Sequence, residues 1–174
     1  MGNSGRYNHK TVYQDGYKFD SKLERDFYLE LLDRKAKGVI KGFKMQVKYP
    51  LQPRFIILDG QAITDDNPDF DKIRRKNKLS INSSIDYIAD FVVENAENKI
   101  IVYDTKGKAT TDFRIKMKML LFKYPDIDFK VICFDKKKKE WVDYFIYTKE
   151  QNKIKKINKA IREAKKLKKL NVEN

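Results

Sequence analysis

The segments Tyr87-Ile-Ala-Asp-Phe91 and Tyr103-Asp-Thr-Lys-Gly107 decide how the centre of this chain folds. They lie within residues 84–94 and 99–107, two runs rich in Ile, Val, Tyr and Phe that are typical of β-strands. Residues 95–98 have the polar composition of a turn, so we expect the two strands to pair as a hairpin.

Three charged residues at the ends of these strands form the first candidate site. Side chains alternate between the faces of a strand, so Asp104 and Lys106 project to the same side. Hairpin pairing can bring Asp90 to the end of the neighbouring strand. Carboxylate, carbonyl and water oxygens suit Mg²⁺ or Mn²⁺, which indicates a metal-dependent phosphodiesterase site. The alternative is a surface ion pair, although a buried charge cluster without a role is uncommon.

The composition favours a polyanionic partner. The 174 residues, enough for one domain with a real core, include 39 Lys and Arg against 25 Asp and Glu, a formal net charge of +14. Nucleic acid is the commonest partner of such a chain. No stretch approaches the roughly 20 apolar residues of a spanning helix, and the polar N-terminus lacks a secretory signal, so we expect a cytoplasmic protein. The single cysteine, Cys133, lies in an apolar run and is expected to be a buried, inert thiol.

The hydrophobic periodicity predicts an α/β or α+β fold in which helices flank a mixed central sheet. The predicted helices are 19–37, 112–124 and 149–170, and the predicted strands are 43–50, 54–58, 84–94, 99–107, 129–135 and 141–148. We expect the strand at 54–58 to form a hairpin with the strand at 43–50. The implied organisation is a polar, partly flexible segment at 1–16, a core domain at 17–148 with an inserted loop at 59–83, and a basic helix at 149–174.

Glu24 is a second candidate. On the first helix it falls in the middle of the apolar arc, where a carboxylate facing the sheet could act as a metal ligand or a base. Ser21 and Glu24 also fit a capping box, a purely structural role, and helical geometry leaves the two readings open. Asp86 lies on the same face as Asp90 and could replace it, but its neighbours are more polar.

Basic residues on the helix that follows the site are candidates for phosphate contacts. They are Arg114, Lys116 and Lys118, of which Lys116 is the best placed to point towards a phosphate, and a solvated basic face is the alternative. The lone histidine, His9, cannot build a zinc site without further ligands and is expected to be a polar tail residue. The apolar stripe of the last helix indicates packing or a dimer surface.

An ordered set of motifs resembles the PD-(D/E)XK nuclease superfamily and, more narrowly, a family of small phage and prophage endonuclease-like proteins in it. The matching segments are YNHK (7–10), GYKFDSKLE (16–24), YIADF (87–91), DTKG (104–107), FRIK (113–116) and KYPD (123–126). The resemblance implies a restriction-endonuclease-like core. Two departures are Ala89, where the superfamily has proline before the first aspartate, and a 59–83 stretch longer than is usual in the phage family.

The resemblance also assigns roles to residues. Asp90 and Asp104 would be metal ligands, Glu24 the acidic residue of the first helix and a further ligand, and Lys106 the catalytic lysine. Lys10 would join the basic helix residues in binding DNA.

The function implied is a Mg²⁺-dependent DNA endonuclease of a phage or prophage. Its substrate would be branched recombination DNA, as for a Holliday junction resolvase, and two active sites would come from a homodimer. The alternatives are a non-catalytic DNA-binding or regulatory protein on the same fold, and an antagonist of host defence that binds protein through the last helix.

Overall fold

The structure, a computed structural model, describes residues 11–170, with side chains described up to residue 164. The helices are α1 (Lys22–Ala36), α2 (Phe70–Asn77), α3 (Thr111–Lys123) and α4 (Tyr144–Leu170). The strands are β1 (Val12–Gln14), β2 (Tyr17–Phe19), β3 (Ile40–Gln52), β4 (Phe55–Leu58), β5 (Gln61–Thr64), β6 (Ile85–Asn95), β7 (Ile100–Thr105), β8 (Phe129–Asp135) and β9 (Glu140–Asp143). Among the described residues, no helix has both the length and the apolar character needed to cross a membrane.

Five of the strands form one mixed sheet in the order β3-β6-β7-β8-β9. The pairs β3–β6, β6–β7 and β8–β9 are antiparallel. Backbone bonds from Val102 N to Asp128 O and from Lys106 N to Ile132 O keep one constant offset, so β7 and β8 run parallel. The predicted α/β class with a mixed central sheet is confirmed, and the restriction-endonuclease-like topology stays a prediction.

Tertiary contacts divide the described residues into two compact units. The first unit contains 11–25, Thr105–Gly107 and 130–170. It therefore includes all of β9 and α4 and all of β8 except its first residue. The second unit contains Asp26–Asp104 and Lys108–Phe129, and therefore most of α1, β3 to β6 and α3.

An aromatic cluster forms the core of the second unit. Phe27 and Tyr28 are buried on α1, as their position in the predicted apolar stripe requires. The ring of Phe27 lies 5.4 Å from that of Phe91 on β6, and the ring of Tyr28 lies 5.9 Å from that of Phe43 on β3. Edge-on pairs at these distances add to the gain from burial and fix α1 against the sheet.

α1 ends just before Gly38, close to the helix end that we predicted at residue 37. Gly38 has φ 71°, in the left-handed region that glycine adopts without strain. Its amide bonds to Lys35 O at 3.1 Å, and the amide of Val39 bonds to Arg34 O at 2.9 Å. These two bonds are the Schellman arrangement that satisfies the last carbonyls of a helix.

The inserted segment contains more regular structure than we predicted. The strand at 54–58, observed as β4, pairs with β5, so the prediction that it pairs with 43–50 is wrong. Asp59 and Gly60 join β4 to β5 with φ 49° and 77°, which is the two-residue Asp-Gly turn that favours a tight hairpin. The partner of β3 is instead β6. The segment also contains the helix α2, where we predicted a loop.

The insertion also has its own small core. Ile56 on β4 and Phe70 on α2 are buried. The guanidinium of Arg54 lies 5.3 Å from the centre of the Phe70 ring and 3.2 Å from the carboxylate of Asp65. These contacts hold α2 against the β4–β5 hairpin.

Two other local predictions are corrected. Residues 12–19 form the β1–β2 hairpin around a second Asp-Gly turn, Asp15 and Gly16, where we expected a polar, partly flexible segment up to residue 16. The strand predicted at 141–148 ends at Asp143, and α4 begins at the next residue. The Asp143 carboxylate accepts a 2.8 Å bond from the amide of Ile146, so it caps the helix.

Cys133 confirms the prediction of a buried thiol. It lies within β8 and is buried. Burial and, after it, the negative charges of Asp135 and Asp143 raise the pKa of the thiol to about 11. The thiolate is therefore scarce at neutral pH, as expected of an inert cysteine.

We expect Gly38→Ala to lower the free energy of unfolding by about 1–2 kcal/mol, because an L-residue is strained in the left-handed region. Added Cβ atoms at Gly38 and at Gly42 both meet open space, so the backbone alone distinguishes the two positions. Gly42→Ala is the control and should leave the stability unchanged or improved. Denaturant unfolding of both variants measures the difference, and equal losses would contradict the capping role of Gly38.

Candidate active site

The pairing of β6 with β7 ends next to two aspartates of the second unit. The last paired positions are Phe91 and Tyr103, and the next residue on each strand is Asp90 and Asp104. Directly opposed residues of an antiparallel pair have Cβ atoms about 4.5–5.5 Å apart. If the register continues by one residue, Asp90 lies opposite Asp104; that the two carboxylates share a site stays a prediction.

Asp104 is held by a tyrosine. Its side chain is 2 % exposed, and the hydroxyl of Tyr87 on β6 donates a hydrogen bond to Asp104 Oδ2. The ring of Tyr87 is itself buried, 6.4 Å from Phe113 on α3 and 5.5 Å from Phe129 on β8. The phenol therefore reaches the carboxylate from an apolar pocket.

A backbone irregularity accompanies this contact. Tyr87 and Asp90 are three residues apart, so on a regular strand they would project to opposite faces. Gln46 on β3 lies opposite Asp90, between the pairs that join Met45 to Phe91 and Val47 to Ala89, and its φ of 52° is left-handed. The backbone of β3 is therefore irregular opposite Asp90.

Both aspartates act on the same phenol. Burial, the charge of Asp104, its hydrogen bond and the charge of Asp90 all raise the pKa of Tyr87, far above its ordinary value of 10.0. Tyr87 is therefore a protonated donor at every physiological pH. The site within the second unit consists of Tyr87, Asp90 and Asp104.

Tyr87 is the residue that sequence reasoning missed. It lies in the strand segment 87–91, where the sequence alone assigned it no role. The available signal was a tyrosine in a buried strand, since the hydroxyl of a buried tyrosine usually finds a hydrogen-bond partner.

Glu24, in the first unit, is buried with 5 % of its surface exposed, as its position in the apolar arc predicted. One of the two bonds of a capping box is present, because Ser21 Oγ accepts a 3.1 Å bond from the Glu24 amide. The Glu24 carboxylate accepts a 3.0 Å bond from the amide of Asp20, whereas a capping box would use the amide of Ser21. The structural role of Glu24 is thus confirmed, and its role as a ligand stays a prediction.

Lys106, also in the first unit, follows β7 directly. Its amide donates a 2.8 Å bond to Ile132 O on β8, and its ammonium nitrogen lies 3.3 Å from Thr105 O. The backbone around this lysine is therefore fixed by the sheet. Convergence of Glu24 and Lys106 with the two aspartates stays a prediction.

The remaining candidates are spread along the chain. On α3, Lys116 is half-buried whereas Arg114 and Lys118 are exposed, and contact of any of them with phosphate stays a prediction. Asp86, the alternative to Asp90, forms a 2.8 Å ion pair with Lys48 on β3. Lys10, and likewise His9, lies outside the described residues.

The donor set suits a small, hard cation only in part. Within the described part of the chain, no group of three or more His, Cys, Asp and Glu side chains is arranged to hold a metal ion. Mg²⁺ is commonly bound through only one or two carboxylates, with water and substrate phosphate completing its shell. Asp90 and Asp104 are a fitting pair for that mode of binding.

The fold and this acidic site define an α/β protein with a carboxylate pair on neighbouring strands of a mixed sheet. Residues 4–140 match the model of the family described as Protein of unknown function (DUF1064), and the chain belongs to that family. Searches of curated proteins and of solved structures found no match for this chain.

We expect Tyr87 to stay protonated for as long as the protein is folded. Because its pKa is raised from 10.0, the stabilisation from its neutral form is present below pH 10 and is lost as the pH rises towards the folded pKa. In alkaline titration followed by tyrosinate absorbance, native wild-type protein and Tyr87→Phe should give the same curve. After unfolding, the wild type should titrate one tyrosine more. A native difference near pH 10 would show an accessible, unperturbed phenol.

Proposed function

We propose that this protein is a Mg²⁺-dependent DNA endonuclease that hydrolyses phosphodiester bonds. The observation that supports the proposal is that Asp90 and Asp104 directly follow the last pair of β6 and β7, with both charges raising the pKa of Tyr87. Two acids brought together near a buried phenol raise the electrostatic energy of the fold, and a bound cation would relieve that repulsion. The resemblance of the motif set to PD-(D/E)XK nucleases gives the same two residues as ligands.

Asp90 and Asp104 would hold the ion, which would polarise a phosphate oxygen and lower the pKa of a bound water. Tyr87 is a positioning residue, since its hydrogen bond fixes the orientation of the Asp104 carboxylate. Lys106 is proposed as the ammonium that orients water or offsets phosphate charge, on its place two residues after Asp104. Glu24 is proposed as the third acid on the resemblance alone.

DNA is the proposed substrate because of the net charge of +14. Arg114, Lys116 and Lys118 on α3 are proposed phosphate contacts, and Thr110 caps the same helix by accepting a 3.2 Å bond from the Phe113 amide. Branched recombination DNA is the proposed target within this class, on the resemblance to small phage nucleases. A non-catalytic DNA-binding protein is the competing function, and the next experiment separates the two.

Asp104→Asn and Asp90→Asn should each reduce Mg²⁺-dependent cleavage by more than about 100-fold, the upper end of the loss seen for outer-shell partners of metal ligands. DNA affinity should persist or rise, because a negative charge near the phosphate is removed. Cleavage is measured with Mg²⁺ on duplex, single-stranded, flap and four-way DNA.

The matched control is Asp86→Asn, which removes an acid from the same strand. Asp86 is engaged by Lys48, and the loss of such a partly exposed ion pair has a small effect. This variant should cleave DNA like the wild type. Wild-type protein that binds DNA but cleaves none of the panel would refute the nuclease and favour the non-catalytic reading.

Tyr87→Phe should raise the Mg²⁺ concentration needed for half-maximal activity by about 10-fold, with much of the activity recovered at saturating Mg²⁺. The reason is that Asp104 would keep its charge but lose the donor that orients it. Direct titration of Mg²⁺ by calorimetry should show the same loss of affinity without DNA. An unchanged metal affinity would mean that the phenol serves packing alone.

A further inference from the structure

The outer part of α4 carries an exposed apolar row. Residues 152–164 are all exposed, yet Ile154, Ile157 and Ile161 recur at three- and four-residue spacing with 45 %, 59 % and 47 % of their surfaces exposed. Such spacing places them on one face of the helix. Helices in proteins gain most of their stability from packing an apolar face, so this row suits a partner.

The row extends in both directions with alternating spacings of three and four residues. We call it the α4 seam, and its members are Tyr147, Glu150, Ile154, Ile157, Ile161, Ala164 and Lys168. This is the a/d pattern of a coiled coil, in which each seam packs against the seam of another helix. The seam has two charged positions of opposite sign, an acid near its start and a lysine near its end.

The placement of these two charges distinguishes the possible partners. In a parallel pair of α4 helices in register, Glu150 of one copy would face Glu150 of the other. Likewise, the lysine at position 168 would face the lysine at position 168 of the other copy. An antiparallel pair centred on residue 159 sets Ile157 against Ile161, Ile154 against Ala164, and Glu150 against position 168. Like charges at seam positions oppose association and opposite charges favour it, so the sequence of the seam complements itself only in the antiparallel direction.

The surface around Glu150 adds to this complementarity. A small pocket next to the start of α4 is lined by Glu150, Asp135 and Asp143 together with Ile146, Tyr147, Val142 and Lys138. Three of its seven lining residues are acidic, whereas residues 165–169 at the other end of α4 read Lys-Lys-Leu-Lys-Lys in the sequence. Antiparallel pairing brings the basic end of one helix to the acidic pocket of the other.

We propose that α4 is a self-association surface, and that two copies of this chain pair through antiparallel α4 seams. The arrangement is isologous, because each copy offers the same seam to the other across a two-fold axis, as in most homodimers. The proposal does not rest on nuclease activity. If the proposed function holds, it would supply the second active site that the cutting of both strands at a junction requires.

The test is a charge exchange at the two polar seam positions, read out by sedimentation equilibrium or light scattering of the full chain. The wild type should be dimeric. Glu150→Lys and Lys168→Glu should each dissociate more readily, because every antiparallel pair would then contain like charges. The double variant Glu150→Lys/Lys168→Glu should regain wild-type association. An equimolar mixture of the two single variants should form a heterodimer that neither forms alone.

Two isoleucine variants distinguish association through the α4 seam from non-specific hydrophobic association. Ile157→Asp should give a folded monomer with the helical circular dichroism of the core. Ile115→Asp is the control, since Ile115 on α3 is 54 % exposed and does not belong to the seam. It should remain dimeric.

Four outcomes would overturn the proposal: a wild type monomeric at all concentrations, a dimer that survives Ile157→Asp, a single variant of the charge pair that associates like the wild type, and association only on added DNA. Asp104→Asn should remain dimeric, so a failed nuclease assay and a failed dimer are distinguishable.

Discussion

The pairing of β6 with β7 is the constraint on which the rest of the structure depends. It joins Phe91 to Tyr103, and the next residue on each strand is an aspartate, Asp90 on β6 and Asp104 on β7. A slip of one residue would exchange the faces of every side chain on the strand and separate the two acids. The same register carries the aromatic residues that hold α1 on the sheet, because Phe27 packs against both Phe91 and Tyr103 at 5.4 and 5.2 Å. The packing of α1 on the sheet and the position of the two aspartates thus both depend on the β6–β7 register.

The buried carboxylates of this protein need hydrogen-bond donors, since an uncompensated charge in an apolar interior is very unfavourable. Glu24 and Asp135 both accept bonds from backbone amides, at the start of α1 and in the β8–β9 turn, so each has an evident local role. Asp104 accepts its bond from a tyrosine on another strand. This long-range arrangement, with Asp90 close to the same phenol, is why we assign chemistry to Asp104.

Some of the fold was predictable because its signals are local. The helix at Thr111–Lys123, the strand at Phe129–Asp135 and the stop at Gly38 follow from periodicity, turn residues and glycine conformation. Two further local patterns in the sequence indicate structure that we did not predict. Asp59-Gly60 should have predicted the β4–β5 hairpin, and Asp143 should have marked the start of α4. The run Val142 to Tyr147 has a composition typical of a strand. The helix nevertheless begins at Tyr144, where the Asp143 carboxylate caps it.

The sequence by itself determined the helix and strand periods, the excess of positive charge, the burial of Glu24 and the opposite charges at the two ends of the α4 seam. Each of these depends only on residues within a few turns or positions of one another. The tertiary structure alone decided that β4 pairs with β5, that Gln46 adopts a left-handed conformation within β3, and that Tyr87 bonds to Asp104. Contacts between distant residues depend on strand register and on strand irregularities. Register and irregularities arise from the packing of the whole sheet, so no periodic pattern in the sequence predicts them.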